Sequence, residues 1–384
     1  MRLSNAKRLG IPALRRTALA AVAGSFIAFG AGPAAASHVS CGDEITADTT
    51  LDSDLVNCPD NGLVIAADDI TLNLNGHRVD GDGELFEPCP DGEFCDVGLL
   101  NDGHDGVTVR DGTAREFALG AFVGKARRNR VLGITSTKNL FFGFVVAESA
   151  RSVVRDNSGD DNLAPDGDGM GLFGSHDIRI VDNSFQHNPL GLHVEDSTDN
   201  LIKGNLFSRN DLGILMEADR NQVRRNRSVR DGGGILMFGS RNAIGRNRFS
   251  RSQDAIGIER GRGNLVARNV VIDPRRVGIR LGLQRPEQVG GAENVVRRNL
   301  VRGSAGDGFV VYEKDNRSRL TRNVATGSRD DGFDVESRSA KLTGNRAFRN
   351  GDLGIEARIG VIDGGGNRAR ANGDSRQCKH ISCR

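Results

Sequence analysis

The feature that most constrains the fold of this chain is a repeat of about 22 residues. A small residue recurs at this spacing, with two longer intervals, and an apolar residue stands at the first and the third position after it. The small residues are Gly120, Gly143, Gly169, Gly191, Gly213, Gly234, Ala255, Gly278, Gly308, Gly332 and Gly354. Apolar side chains two residues apart indicate a strand that is buried on one face.

A repeat of this size cannot bury its own apolar face, so neighbouring repeats must stack and share one core. Stacked coils pair their strands in parallel, about 4.8 Å apart. No stretch between the small residues has a sustained helical period, which argues against helical repeats. The 51 glycines, the single tyrosine and the absence of tryptophan suit short strands and tight turns. We therefore predict an all-β, right-handed parallel β-helix, with the hand taken from the usual crossover rule.

A second marker is an asparagine 13 or 14 residues beyond most of the small residues. It occurs at Asn183, Asn205, Asn226, Asn247, Asn269, Asn299, Asn323, Asn345 and Asn367. Asparagine tolerates left-handed turns and can form hydrogen bonds with its equivalent in the next coil. We expect a ladder of turn asparagines.

These ladders, together with the runs 62–77 (GLVIAADDITLNLNGH) and 107–113 (VTVRDGT), carry a resemblance to a known group. The chain resembles secreted right-handed parallel β-helix repeat proteins of the pectate-lyase-like superfamily. The resemblance implies the fold more strongly than an activity, because the superfamily includes polysaccharide lyases, glycoside hydrolases, uronate epimerases, adhesins and periplasmic helper proteins.

The first 36 residues have the composition of an export signal. Basic residues precede an apolar stretch from 17 to 31, and three alanines end at Ala36. We predict a signal peptide over 1–36, with the N-terminal cap and first coils over 37–105, the β-helix over 106–367 and a C-terminal cap over 368–384. A membrane span is the alternative, but glycines and Pro33 interrupt the apolar stretch. Arg15 and Arg16 leave the general secretory and the twin-arginine routes both open.

Removal of the leader reverses the sign of the net charge. The whole chain carries +2, and residues 1–36 contain five basic and no acidic side chains, so the remainder carries −3. A nucleic-acid partner is therefore not expected. We predict a secreted or cell-surface monomer without a membrane span after leader removal.

The six cysteines form three local pairs near the two ends of the exported part. An oxidising compartment favours disulfides over free thiols or zinc, although six cysteines allow 15 pairings. We expect the three bonds to join neighbours and to fasten the terminal coils, which lack a neighbour on one side. The pairs are Cys41 with Cys58, Cys89 with Cys95, and Cys378 with Cys383.

Candidate catalytic residues come from outward positions on adjacent coils. Glu195 and Glu217 occupy the same repeat position, so their backbones should lie about 5 Å apart, and repulsion between the carboxylates should raise one pKa. Asp168 and His193 stand beside them, and these four are the predicted catalytic residues. The predicted substrate-binding residues are Asp166, Asp211, Phe238 and Glu259.

Two other interpretations of these carboxylates stay open. They could hold Ca²⁺, the cation suited to oxygen ligands, or they could form a solvated acidic face that keeps the sheet from pairing with other sheets. A second acidic group comprises Asp307, Asp330, Asp331, Asp334, Glu336, Asp352 and Glu356. The many arginines could bind an acidic polymer, but because Asp and Glu alternate with them we expect surface ion pairs and stacked guanidinium rows.

Two functions remain. The first is a carbohydrate-active protein, a lyase, hydrolase or epimerase, that acts on an extended and preferably acidic polysaccharide. The second is a non-catalytic extracellular or cell-surface module. The catalytic signatures of polygalacturonases, alginate epimerases and pectate lyases are incomplete in this chain, which favours the second function, whereas the clustered carboxylates favour the first.

Overall fold

The structure, a computed structural model, describes residues 38–83, 95–162, 167–283 and 290–384. Every regular element in these ranges is a β-strand, and the strands stack in parallel as a solenoid of about 14 coils of about 22 residues. The predicted parallel β-helix is therefore confirmed. No helix long and apolar enough to cross a membrane occurs in these ranges. The predicted signal peptide lies outside them.

The first strand of each coil belongs to one 15-stranded sheet, here called the first sheet. Its strands are Glu44–Ile45, Leu63–Ile65, Val97–Asp102, Leu119–Gly124, Phe142–Ala147, Asp168–Phe173, Leu190–Glu195, Leu212–Glu217, Gly233–Met237, Asp254–Ile258, Ile279–Leu281, Phe309–Val311, Phe333–Val335, Ile355–Ala357 and Cys378–Lys379.

Two further strands in most coils form the second and the third strand stack. The second stack comprises Thr49–Thr50, Thr71–Asn73, Val153–Arg155, Arg179–Val181, Leu201–Lys203, Gln222–Arg224, Ala243–Gly245, Leu265–Ala267, Val295–Arg297, Arg319–Thr321, Lys341–Thr343 and Ile362–Asp363. The third comprises Leu55–Cys58, Arg78–Gly81, Ser158–Asp160, Ser184–Gln186, Leu206–Ser208, Arg227–Val229, Arg248–Ser250, Val270–Ile272, Leu300–Arg302, Val324–Thr326, Arg346–Phe348 and Arg368–Arg370. Two longer strands, Thr108–Arg115 and Arg130–Thr137, pair with members of both stacks.

The repeating apolar residues form one continuous core. Met170, Leu192 and Ile214 are paired in register across three coils and are at most 1% exposed. Burial of a side chain of this size contributes about 1.5–3 kcal/mol relative to exposure. Larger rings fill the interior elsewhere, as where Phe309 and Phe333 stack with centroids 4.6 Å apart.

The recurring glycine is required by the close approach of neighbouring coils. A Cβ atom on Gly191 would lie 2.7 Å from the carbonyl oxygen of Gly213 and 2.7 Å from a ring carbon of Phe207. Neither distance is compatible with a real side chain. The small residue in the repeat therefore marks the place where the backbone of one coil packs on the next.

The predicted asparagine ladder exists, but it lies inside the coil. Asn247 is 2% exposed. Its side-chain amide donates to the carbonyl oxygen of Val223 at 2.9 Å and to Oδ1 of Asn269 at 3.1 Å. The left-handed backbone conformation belongs to the preceding residue, Arg246, with φ 59°. The ladder and its hydrogen bonds are thus confirmed, and its amides face inward, where they satisfy the backbone at the bend between strands.

A second interior ladder, which sequence reasoning missed, runs along the bend before the first sheet. Asn188 donates to Oδ1 of Asn210, and Asn210 donates to Oδ1 of Asp231 at 3.0 Å. At the C-terminal end Asn372 donates to Oε1 of Gln377 at 2.9 Å from its side chain and at 3.0 Å from its backbone. The side chain of Gln377 thus provides the acceptor that an asparagine of the next coil would otherwise provide.

Disulfides fasten both ends as predicted. Cys41 is bonded to Cys58, and Cys378 to Cys383. Cys95 is also disulfide-bonded, and its predicted partner Cys89 lies outside the described residues. No described cysteine is free. The fold does not test the predicted domain limits at 105 and 367, because strands continue across both limits from Glu44 to Lys379.

Candidate functional site

The candidate site lies on the outward face of the first sheet, where three adjacent strands meet in register. Glu195 pairs with Glu217, as the repeat spacing predicts, and Phe173 precedes them in the same row. His193 stands in the adjacent outward row, between Gly171 and Leu215. The space above Gly171, which has no side chain, is filled by the rings of Phe173 and Phe142.

His193 is the centre of this group. Its Nδ1 atom lies 3.6 Å from Oδ2 of Asp168, a carboxylate whose side chain is only 3% exposed. Its Nε2 atom lies 4.0 Å from Oε2 of Glu195 and 3.9 Å from Oε2 of Glu217. Nε2 is buried and has no hydrogen-bond partner among the described residues. The structure therefore brings all four predicted catalytic residues together around one ring.

Opposing effects act on the pKa of His193. Burial disfavours the imidazolium, but the hydrogen bond that the ring donates to Asp168 and the negative charges of Asp168, Glu195 and Glu217 together outweigh burial and raise the pKa above its ordinary value. The imidazolium form is thus favoured at higher pH than in a free histidine.

The carboxyl of Glu195 is perturbed in the same direction. Burial raises its pKa, the charge of His193 opposes this, and the neighbouring carboxylate of Glu217 adds to the increase. The neighbouring carboxylate thus acts in the expected direction, but burial is the largest cause of the raised pKa. Titratable groups with perturbed pKa values, clustered on an accessible face, are typical of functional sites.

Aromatic rings border the site on its N-terminal side. The rings of Phe173 and His193 meet edge to face with centroids 5.3 Å apart, and Phe142 meets Phe173 in the same way at 5.7 Å. This contact limits the tilt of the imidazole. It also places apolar surface beside the proton-carrying group.

The predicted substrate-binding residues are scattered. Asp211 is exposed in the turn before the strand Leu212–Glu217. Phe238 is half-buried, with the guanidinium of Arg260 5.9 Å from its ring centroid. Glu259 accepts a hydrogen bond at 2.7 Å from Arg280. Asp166 lies outside the described residues. Their role in substrate binding stays a prediction.

Sequence reasoning missed a buried ion-pair cluster on the same sheet. Arg280 donates through Nε to Asp254 at 2.8 Å and through Nη2 to Glu259 at 2.7 Å, and its side chain is 10% exposed. Arg276 also donates to Asp254 through Nε at 2.8 Å. The sequence contained a signal for this cluster. Arg280 pairs in register with Gly257, and because Gly257 has no side chain, the guanidinium of Arg280 can lie over it.

The second acidic group of the sequence is compact in the structure. Asp307, Asp330 and Asp331 offer ligand oxygens that all lie within 4.8 Å of one another, and they form the one such trio of His, Cys, Asp or Glu found in the described ranges. Burial raises the pKa of Asp307 to about 6 and that of Asp334 to about 7, with a contribution from neighbouring carboxylates. An all-oxygen donor set suits Ca²⁺. Calcium binding stays a prediction.

Comparisons with known proteins identify one family. The model of the family described as periplasmic copper-binding protein (NosD) matches residues 64–214 and 160–289, which together span more than half of the chain. No curated protein matches the sequence.

Solved structures with a similar fold are distant in sequence. DFA-IIIase from Arthrobacter chlorophenolicus A6 without its lid is 18% identical, with 68% of this chain and slightly under two thirds (66%) of that one covered and a TM-score of 0.46. The periplasmic alginate epimerase AlgG is 16% identical over 85% and 82% of the two chains, with a TM-score of 0.43. PfbA, a surface adhesin of Streptococcus pneumoniae, is 12% identical over 82% and 84%, with a TM-score of 0.48. None of these similarities bears on activity.

Proposed function

The chain belongs to the NosD family, described as periplasmic copper-binding proteins, and for this member we propose acid–base action on an extended polysaccharide in an exported location. The observation that carries the proposal is the arrangement around His193, with a buried carboxylate at one ring nitrogen and two glutamates near the other. The long face of the first sheet offers an extended substrate a continuous surface.

Asp168 and His193 act together to hold and orient a proton. Asp168 accepts from Nδ1 and fixes the orientation of the ring, while its charge favours the imidazolium. Nε2 then presents its proton between the two glutamates, where it can pass to the oxygen of a glycosidic bond that breaks. An ionised glutamate at the same place takes a proton from water or from a sugar carbon. Hydrolysis, elimination and epimerisation all need such a pair.

Copper does not fit the group around His193 as the side chains stand. Adjacent ligands of a metal with bonds of about 2 Å lie about 3 Å apart at right angles, whereas Nε2 lies 3.9 and 4.0 Å from the glutamate oxygens. The sulfur ligands preferred by Cu(I) are also out of reach within the described ranges, since no cysteine is free and Met170, Met216 and Met237 are 0% exposed. We derive no step through copper.

The proposal is tested by product formation on a panel of uronic-acid polymers and neutral cell-wall glycans. Double bonds, new reducing ends and exchange of solvent deuterium into the sugar report on elimination, hydrolysis and epimerisation. Glu217→Gln should reduce product formation by about 10²- to 10⁴-fold, and Glu336→Gln, at the same repeat position five coils away, should not. Absence of both turnover and binding on every glycan would refute the proposal.

A non-catalytic binding module is the second candidate. The incomplete catalytic signatures of the sequence favour it. Wild-type protein that binds a glycan, forms no product and loses no affinity in Glu217→Gln would support this alternative.

A further inference from the structure

A hollow lies on the second strand stack, away from the first sheet. It has a volume of about 400 Å³. Its floor consists of the small or apolar outward residues Ala243, Gly245, Leu265 and Ala267 on two adjacent strands. The strands on either side carry larger outward residues, so the floor is recessed.

Arginines border this floor on three sides. Arg224 and Arg297 stand on the flanking strands, and Arg225, Arg246 and Arg268 follow one another at the turn that ends the stack. All five are exposed. Their guanidinium groups form no hydrogen bond or ion pair with any described residue, in contrast to Arg220, Arg262 and Arg280, which all pair with carboxylates. The expectation that the arginines form surface ion pairs is therefore wrong for this border.

The backbone at the border is unusual for arginine. Arg225, Arg246 and Arg268 have φ of 58°, 59° and 59°, the left-handed region that glycine, asparagine and aspartate adopt most readily. Earlier coils place Asp182 and Gly204 at this turn position, the next two coils place Arg298 and Arg322 there, and a later coil places Gly344 there. Arginine also occupies a different left-handed turn at Arg230 and Arg251. The border of the hollow is distinguished from that turn by its recessed apolar floor.

We propose that this hollow binds an anionic polysaccharide of the uronate type, independently of the proposed function of the first sheet. Guanidinium groups pair with carboxylates through two parallel hydrogen bonds. The apolar floor matches the less polar face of a sugar ring. Successive arginines are one coil apart, about 4.8 Å, which is close to the length of one sugar residue in an extended chain, so neighbouring uronates meet neighbouring arginines.

Nucleic acid fits the same surface less well. Single strands are gripped by aromatic side chains on which bases stack, and none of the residues of the floor or border is aromatic. Duplex DNA is bound through its dense backbone charge, for which a chain with a charge of −3 after leader removal is poorly suited.

Binding of polygalacturonate to the full exported protein tests the proposal, with a neutral glucan, polyphosphate and duplex DNA as further probes. Arg246→Asn with Arg268→Asn removes two charges, and asparagine keeps the left-handed turn. The matched control, Arg230→Asn with Arg251→Asn, removes the same charge at the other turn. We expect at least a tenfold loss of affinity in the first variant and less than a twofold loss in the control.

A variant that keeps every charge tests the shape of the hollow. A Cβ atom at Gly245 would meet one neighbour only, the carbonyl oxygen of Ala267 at 3.4 Å, and its φ is not positive, so Gly245→Leu fills the floor without strain. It should also weaken polygalacturonate binding at least tenfold. Equal losses in the two arginine variants, unchanged binding in Gly245→Leu, or tighter binding of DNA or polyphosphate than of polygalacturonate would overturn the proposal. Product formation at the first sheet is not measured here, so failure of the proposed function leaves this test intact.

Discussion

Nδ1 of His193 lies 3.6 Å from Oδ2 of Asp168, across one step of the first sheet. The two residues are 25 positions apart in the chain and meet because the coils stack. The charge of Asp168 raises the pKa of His193, and burial of the ring opposes this increase. This contact links the stability of the sheet to the protonation state of the candidate site.

Asp168→Asn should lower the pKa of His193 and shift the pH profile. Without the carboxylate, burial of the ring dominates and the imidazolium loses its proton at lower pH. The alkaline limb of activity should therefore move to lower pH, as measured by initial rates across pH. Asp182→Asn, at an exposed turn of the second strand stack, should leave the profile unchanged. A uniform loss of rate without a shift would assign Asp168 a purely structural role.

Glu217→Gln should reduce turnover by about 10²- to 10⁴-fold, the usual contribution of a general acid or base. The amide keeps the size of the side chain but cannot accept the proton. Glu336→Gln serves as the control because Glu336 occupies the same repeat position and no carboxylate–histidine contact is found there in the described structure. Similar rates in both variants would exclude Glu217 from the reaction.

Asp315→Asn should stabilise the protein at alkaline pH and not at acidic pH. Asp315 is 0% exposed, one of its oxygens has no partner among the described residues, and burial raises its pKa to about 7. A carboxyl whose pKa is raised in the folded state favours folding below the unfolded value of about 3.9, and this contribution is lost as pH rises through about 7. The gain should be about 2–4 kcal/mol at pH 8 and should vanish near pH 4 when unfolding is compared at the two pH values. An equal effect at both would show that charge is not the cause.

Asn247→Ala should destabilise the central coils by about 2–4 kcal/mol, because two buried backbone groups lose their partners. These are the N–H of Asn226, which donates to Asn247 at 2.9 Å, and the carbonyl of Val223. Asn316→Ala, at an exposed position, should cost under 1 kcal/mol. Thermal unfolding and hydrogen exchange measure the difference. Comparable melting temperatures would mean that water replaces the lost amide.

Reduction of the disulfides should loosen the ends before the centre. The Cys41–Cys58 bond closes a loop with a sequence separation of 17, for which chain entropy predicts about 3 kcal/mol. Hydrogen exchange in the reduced protein should accelerate near the terminal coils while the strands from Gly169 to Gly354 stay protected. Thiol titration of the unfolded, unreduced protein should find no thiol. Uniform acceleration along the rod would contradict separate end caps.

The sequence was most informative where the repeat itself sets the position. The spacing of Gly191 and Gly213 gave the register, and the register placed Glu195 beside Glu217. The contact between Asp168 and His193 depends on side-chain torsions that periodicity does not encode. The hollow was missed because its floor depends on the small outward residues Ala243 and Gly245 of one coil, whereas the identity of outward residues does not repeat from coil to coil.

The side chain of Gln377 accepts the hydrogen bonds that a further coil would otherwise accept. The hydrogen bonds of this ladder therefore have a defined direction along the solenoid. Along both ladders the backbone N–H of an asparagine donates to the side-chain oxygen of its C-terminal neighbour, and Gln377 supplies that acceptor for Asn372. The two ends of the ladder are therefore chemically different, because its hydrogen bonds all run in one direction and end on a side chain that belongs to no further rung.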